Sequence, residues 1–178
     1  RAFLDRSVSL SLLETLSAIP LAASSKSDLQ QRDIILLTSE ASRGQLTDLV
    51  TGQKWVANAP VIAIFCGNNR RQRLLHEWHD VLFANDHLDA FFNAAVDAAV
   101  ALSAFVIASE AVGLGCCAIS AVRNDATSVS TLLGLPDHVF PVAGLAIGYP
   151  AAMTTIYKRL PIQQTIHIKQ YHETNLQD

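Results

Sequence analysis

The sequence predicts an α+β or mixed α/β domain. Two observations carry that prediction. Four short apolar runs with strand character are spread along the chain: "IILLT" (34–38), "APVIAIFCG" (59–67), "CCAIS" (116–120) and "VFPVAGLAIGYP" (139–150). Between them lie segments of helical period, the longest over residues 88–112. With 178 residues, the chain has room for one domain, 1–178, with a real core.

Each element has a local reason. "SLSLLETLSA" (9–18) spaces its apolar residues as a helix, with Ser9 or Ser11 as cap and Pro20 as stop. "AASSKSDLQQRD" (22–33) is small and polar, hence a loop. Residues 34–38 follow as a buried strand. "SEASRGQLTDLV" (39–50) is a helix begun by Ser39 or Ser42 and ended by Gly52. The second strand stops at Gly67-Asn68-Asn69, and the charged stretch 70–87 is a helix or a mobile surface excursion. "GLG" (113–115) breaks the long alanine-rich helix. After the third strand, a short helix runs from Asp125 or Thr127 to Leu133 and stops at Gly134. The fourth strand ends at Gly148-Tyr149-Pro150, and "TIHIKQYHE" (165–173) alternates like a further strand.

Half of the residues are hydrophobic and 16% are charged, which leaves apolar surface for a partner subunit to cover. A formal charge of −3 argues against a nucleic-acid surface. The apolar stretch 98–108 is shorter than the ~20 residues of a membrane span, and it is flanked by Asp89, Asn93, Asp97 and Glu110. A buried helix is therefore expected, not a membrane partner. Three cysteines, two of them adjacent, suit reduced thiols in a cytoplasmic protein. No signal-peptide pattern is visible, and because the chain opens on Arg1 rather than Met, residues are expected to precede it.

Most catalytic signatures are missing from the sequence. There is no GxSxG elbow for a serine nucleophile. His76 and His79 in "HEWHD" fall one residue short of a zincin motif, and no metal site is expected. "GLG" follows a helix and precedes a strand, the reverse of a dinucleotide fingerprint. What remains is polarity in loops: Arg1, Ser24–Ser27, Gln53-Lys54, Ser120–Arg123 and Lys158-Arg159. Each is an ordinary solvated group or, taken together, part of a site for a phosphate-bearing cofactor.

Five stretches in order decide between these readings: "SSKSDLQQRDII", "LTDLVTGQKWVANAP", "ASEAVGLGCCAISAVRN", "LLGLPDHVFPVAGLAIGYPA" and "KRLPIQQTIH". Together they resemble the FMN-dependent nitroreductase family, in particular its oxygen-insensitive NADPH nitroreductases and NADPH–flavin reductases. The resemblance runs from Arg1 to about His172. It implies a nitroreductase-like α+β fold, with a mixed, mainly antiparallel sheet flanked by helices. It also implies an interlocked homodimer that binds FMN at the subunit interface, with 165–173 pairing against the other subunit's sheet edge. The activity implied is NAD(P)H-driven, ping-pong two-electron reduction of nitroaromatics, quinones or flavins. The cofactors are then FMN with NADPH or NADH, and the other partner is a small-molecule electron acceptor.

The resemblance also implies the cofactor-binding residues. Arg1 matches the last arginine of the family's basic patch, Ser25 a flavin-contacting serine, and Gln53 the glutamine of its G-Q-K motif. Ala118, Ile119, Ser120 and Ala121 match the turn after the third strand, and Arg159 matches the arginine before "LP", with Lys158 as a substitute, one residue away, for the family's lysine. No catalytic side chain is implied, because the flavin carries the chemistry. Ser120 and Ala121 stand where the family has glycines, and Tyr157 stands where it has lysine. These departures keep open a specialised flavin dehydrogenase or biosynthetic flavoenzyme, and the rest of the basic patch, absent before Arg1, keeps open a non-catalytic flavin-binding module.

Overall fold

A computed structural model describes residues 2–50, 52–152 and 155–173. Its centre is the strand β2 (Val61–Asn68), all eight residues of which are buried. β1 (Arg32–Leu37) and β4 (Val139–Gly148) pair with β2 on either side, and β3 (Gly115–Ile119) pairs with β4. The order is β1-β2-β4-β3 and every pairing is antiparallel. The fold is therefore α+β, as the sequence predicts.

Side-chain alternation along β2 builds two cores. Val61, Ala63 and Phe65 meet α1 (Leu10–Leu21) and α4 (Leu88–Ala111) on one face. Ile62, Ile64 and Cys66 meet α2 (Glu40–Leu49), α5 (Ala126–Leu133) and two 3-10 turns, Lys54–Asn58 and Ser120–Arg123, on the other. The remaining helix, α3 (Arg70–Trp78), leaves the end of β2 with its first N–H groups held by the Asn68 side chain.

Helix α4 buries Ala90, Ala94, Asp97, Ala98, Ala101, Phe105 and Ala108, a stripe of helical period. Its alanines let the helix lie close on the sheet, and Phe105 meets Phe65 edge-on with ring centroids 5.7 Å apart. With 24 residues, α4 is long and apolar enough to cross a membrane. Its sheet-facing stripe instead carries the buried carboxylate Asp97, and it is a core helix of this fold. The opposite side of α4 leaves Phe91, Phe92, Val96, Val100 and Ile107 exposed.

Several boundaries match their sequence signals. Ser9, Ser39 and Asp125 each accept a backbone N–H at a helix start. Gly134 ends α5 in the left-handed conformation, with φ of 62°. Two expectations are corrected. Pro20 does not stop α1; it sits inside the last turn and the helix runs on to Leu21. The missing proline N–H costs one bond there, and Ala22 N–H still reaches Ala18 O at 3.0 Å. Residues 165–173 do not form a strand. They belong to an arm in which Ile156, Tyr157, Leu160, Ile166, Ile168 and Tyr171 are all exposed, so no described sheet edge pairs with it. A strand exists only where a neighbour completes its hydrogen bonds.

Burial pushes the Cys66 thiol up to about 12, with Asp33 adding to the effect. Burial likewise raises Cys116 to about 11. Both should resist iodoacetamide at pH 8 in the folded protein and react once urea unfolds it; mass spectrometry of the labelled peptides checks this, and fast labelling of native Cys66 contradicts it. Phe105→Ala should cost about 3–5 kcal/mol in a urea titration, because it empties the contact between α4 and β2.

Candidate functional site

The predicted site residues fall in four places, apart from Arg1, which lies outside the described residues. Ser25 is in the loop between α1 and β1, on the α4 side of the sheet. It precedes a 3-10 turn, Lys26–Asp28. Its Oγ accepts the Gln30 N–H at 3.1 Å, which leaves the hydroxyl proton free to donate. The loop is tightly built. Ser27, Asp28 and Gln30 all have φ between 50° and 54°, a region that favours glycine.

Gln53 lies on the other face. Gly52, with φ of 78°, turns the chain after α2, and Gln53 opens the turn Lys54–Asn58. Val56 and Ala59 anchor that turn in the second core. The Gln53 carbonyl accepts Val56 N–H at 2.9 Å, and its half-buried carboxamide has no partner among the described residues. Trp55 packs at the edge of the same core.

Ser120 shares this face. β3 ends at the fully buried Ile119, and Ser120 starts the following turn. Ala121 and Val122 plug the turn into the core. The approach is close because β4 has Gly144 beneath it: a Cβ there would lie 3.2 Å from Val122 Cγ1 and 3.3 Å from Ile119 Cβ. The side chains of Ile119 and Ala121 are thus core groups, and a ligand can reach those residues only through their backbone. Ala118 and Ser120 are exposed. The Ala121 methyl points inward and does not obstruct the turn's outer surface, so an alanine in place of glycine is tolerated there.

Lys158 and Arg159 are on the exposed arm, away from the other residues. Arg159 Nη1 donates to the carbonyls of Tyr157 (3.0 Å) and Lys158 (3.4 Å) on its own arm. One chain therefore gathers Gln53 and the Ser120 turn on one face, Ser25 on the other, and the basic pair outside both.

A cleft of about 710 Å³ lies beside these residues rather than at them. Its walls are the segment 2–7, the start of α2 and the end of the Lys54–Asn58 turn. Segment 2–7 is tied down by Leu4 N–H to Tyr149 O at 2.8 Å and Ala151 N–H to Ala2 O at 3.0 Å. Among the described residues no group of three metal-ligating side chains occurs. His76 is spent locally: its Nδ1–H donates to Gln72 O at 2.8 Å and its ring meets Phe83 edge-on.

Two residues matter that sequence reasoning passed over. Arg32 and Asp97, each almost fully buried, face one another at 4.0 Å under the Ser25 loop. The signal was available: a carboxylate in the middle of an alanine-rich helix, and a cation opening an apolar strand.

The donor set fits FMN. Hydroxyls, a carboxamide, a glycine-supported turn and a pair of cations are what a flavin ring and a phosphate engage. The fold and site define an α+β protein with loop-borne ligand groups around an antiparallel sheet. Residues 1–149 match the profile of the Nitroreductase family. An oxygen-insensitive NADPH nitroreductase of Salmonella typhimurium is 35% identical over 171 residues, covering 96% of this chain and 70% of that protein. An FMN reductase [NAD(P)H] of Bacillus subtilis is 33% identical over 173 residues, with the same coverage of 96% and 70%. The structure of NADPH:FMN oxidoreductase from Vibrio harveyi complexed with NAD+ superimposes with a TM-score of 0.91 at 30% identity, covering 99% of this chain and 75% of that one. The chain belongs to the nitroreductase family.

A Cβ on Gly148 would lie 2.7 Å from Pro60 Cδ and 2.8 Å from Phe3 Cδ1. Gly148→Ala should therefore push Phe3 and Pro60 away from β4 and cost about 1–3 kcal/mol; a thermal melt that matches the parent contradicts the close packing.

Proposed function

We propose that this chain is one FMN-binding domain of an oxidoreductase that draws electrons from NADPH or NADH. It passes them in pairs to a small-molecule acceptor: a nitroaromatic, a quinone or a flavin. The observation that carries the reading is the donor set of Ser25, Gln53 and the Ser120 turn, on a chain of this family. When bound, FMN would supply the two-electron redox chemistry between nicotinamide and acceptor.

The protein's own share is to hold and polarise. Ser25 donates its free hydroxyl proton, and Gln53 offers a carboxamide with a donor and an acceptor. The Ser120–Ala121 backbone would be open to the ring, because the Ala121 side chain is turned into the core. Lys158 and Arg159 supply positive charge for the phosphate or for negative charge that builds on the ring. Arg1, matching the last arginine of the family's basic patch, would add a further cation for the flavin.

The split of these residues between two faces supports a homodimer. A second copy would bring its own Ser25 loop to the Gln53 face of the first. The exposed side of α4 and the apolar arm 155–173 are surfaces that such a copy would cover. Covering the arm would also give it a sheet edge to pair with. The three free cysteines fit a reducing compartment, and we place the enzyme in the cytoplasm.

Spectra of the purified protein test the activity. The expected outcome is a yellow protein whose flavin absorbance is bleached by NADPH or NADH and restored by a nitroaromatic. Bound flavin that neither reductant bleaches would favour a specialised flavin dehydrogenase, and a colourless protein that refuses added FMN would sink both readings. Arg159→Ala should weaken FMN binding roughly ten- to a hundredfold, the loss of one charge-assisted hydrogen bond of about 1.5–3 kcal/mol. Val100→Asp with Ile107→Asp should yield monomers in sedimentation analysis and abolish flavin retention; a variant that stays dimeric and yellow removes that face of α4 from the interface.

A further inference from the structure

We infer that Arg32 and Asp97 are positioning residues for the flavin site: a buried ion pair that touches no ligand yet sets where Ser25 stands. The inference rests on the reading of Ser25 as a flavin contact.

The connections run through the loop backbone. Asp97 reaches up from α4, and its two carboxylate oxygens accept the N–H groups of Lys26 and Gln31, each at 3.0 Å. These two amides bracket the turn that follows Ser25. Arg32 closes the other end. Its Nη2 donates to the carbonyls of Leu21 (2.9 Å) and Ala23 (2.5 Å), and its Nη1 reaches Ser24 O at 3.5 Å. The guanidinium therefore caps the last turn of α1, where the helix dipole favours a cation. It also ties down the residue immediately before Ser25.

Two costs point to function rather than to stability alone. Burying two charges carries a desolvation penalty that their attraction often fails to recover. Three non-glycine residues held in the left-handed region add strain, which persists only where the surroundings over-determine the backbone. A short, flexible polar loop would connect α1 to β1 without either cost. What the costly version secures is a single position for the Ser25 hydroxyl, whose oxygen is pinned by Gln30 N–H while its proton stays available. Preorganisation of this kind lowers the entropy lost when a ligand binds.

A double-mutant cycle on the full chain tests this, with FMN as the probe. Dissociation constants come from flavin fluorescence titration, and hydrogen exchange follows the amides of Lys26 and Gln31 in the apo protein. Asp97→Asn should speed exchange at both amides and weaken FMN binding several-fold. Ser25→Ala should weaken it by roughly three- to tenfold. The double variant should bind no more than about twofold worse than the weaker single variant, since both changes remove one contribution. Losses that multiply would show that the pair stabilises the fold without positioning Ser25, and would overturn the inference. Unchanged affinity in Ser25→Ala alone would instead overturn the underlying reading of Ser25, and the inference with it. Arg32→Lys keeps the buried charge beside Asp97 but loses the guanidinium fork. Run through the same cycle, it decides the matter if Asp97→Asn fails to fold.

Discussion

Strand β2 has no face that water can reach. Eight consecutive buried residues require cover on both sides, and the alternation of side chains assigns each cover its own core. Everything else is arranged around that demand. Helices α1 and α4 seal the Phe65 face. Helices α2 and α5, with two short turns, seal the Ile64 face. The turns are there because the second face is completed in pieces, and those pieces carry Gln53 and Ser120. Loops that must close a core are held by it, so Val56, Ala59, Ala121 and Val122 fix the backbone that presents the polar groups.

The same demand accounts for the charged pair. Closing the Phe65 face brings α4 across the sheet and sets Asp97 beneath the α1–β1 connection. A buried carboxylate there is stable only with N–H groups and a cation around it. Lys26, Gln31 and Arg32 provide them, and in doing so they shape the loop that carries Ser25. Helix packing and the shape of the Ser25 loop are thus coupled through one residue of the long helix. The outer side of α4 and the arm 155–173 keep exposed apolar side chains that no described residue covers.

Local signals in the sequence were most legible where the cause is itself local. Ser39 and Asp125 start helices because a side-chain oxygen reaches an N–H three residues on, and Gly134 ends one because it alone accepts φ of 62° without strain. Pro20 misled because a proline in the last helical turn removes only one bond, which the following residues outlast. Alternation in 165–173 misled because period-two patterning describes a strand's faces and not its partner. The site divides in the same way. Ser25, Gln53 and Arg159 were read from the sequence as family positions. That Ile119 and Ala121 spend their side chains on the core was not, since nothing in "CCAISA" says which face of the turn is covered.

The sequence by itself determined the order of elements, their caps, the apolar runs that become strands and the family to which the chain belongs. These depend on neighbours a few residues apart or on ordered motifs. Tertiary structure decided what distance along the chain conceals: which edge each strand takes, which side chains of the Ser120 turn are spent on packing, and the meeting of Arg32 with Asp97 at 4.0 Å. It also separated Ser25 from Gln53 by a whole sheet. Burial is a property of the packed layers, and no local pattern contains it.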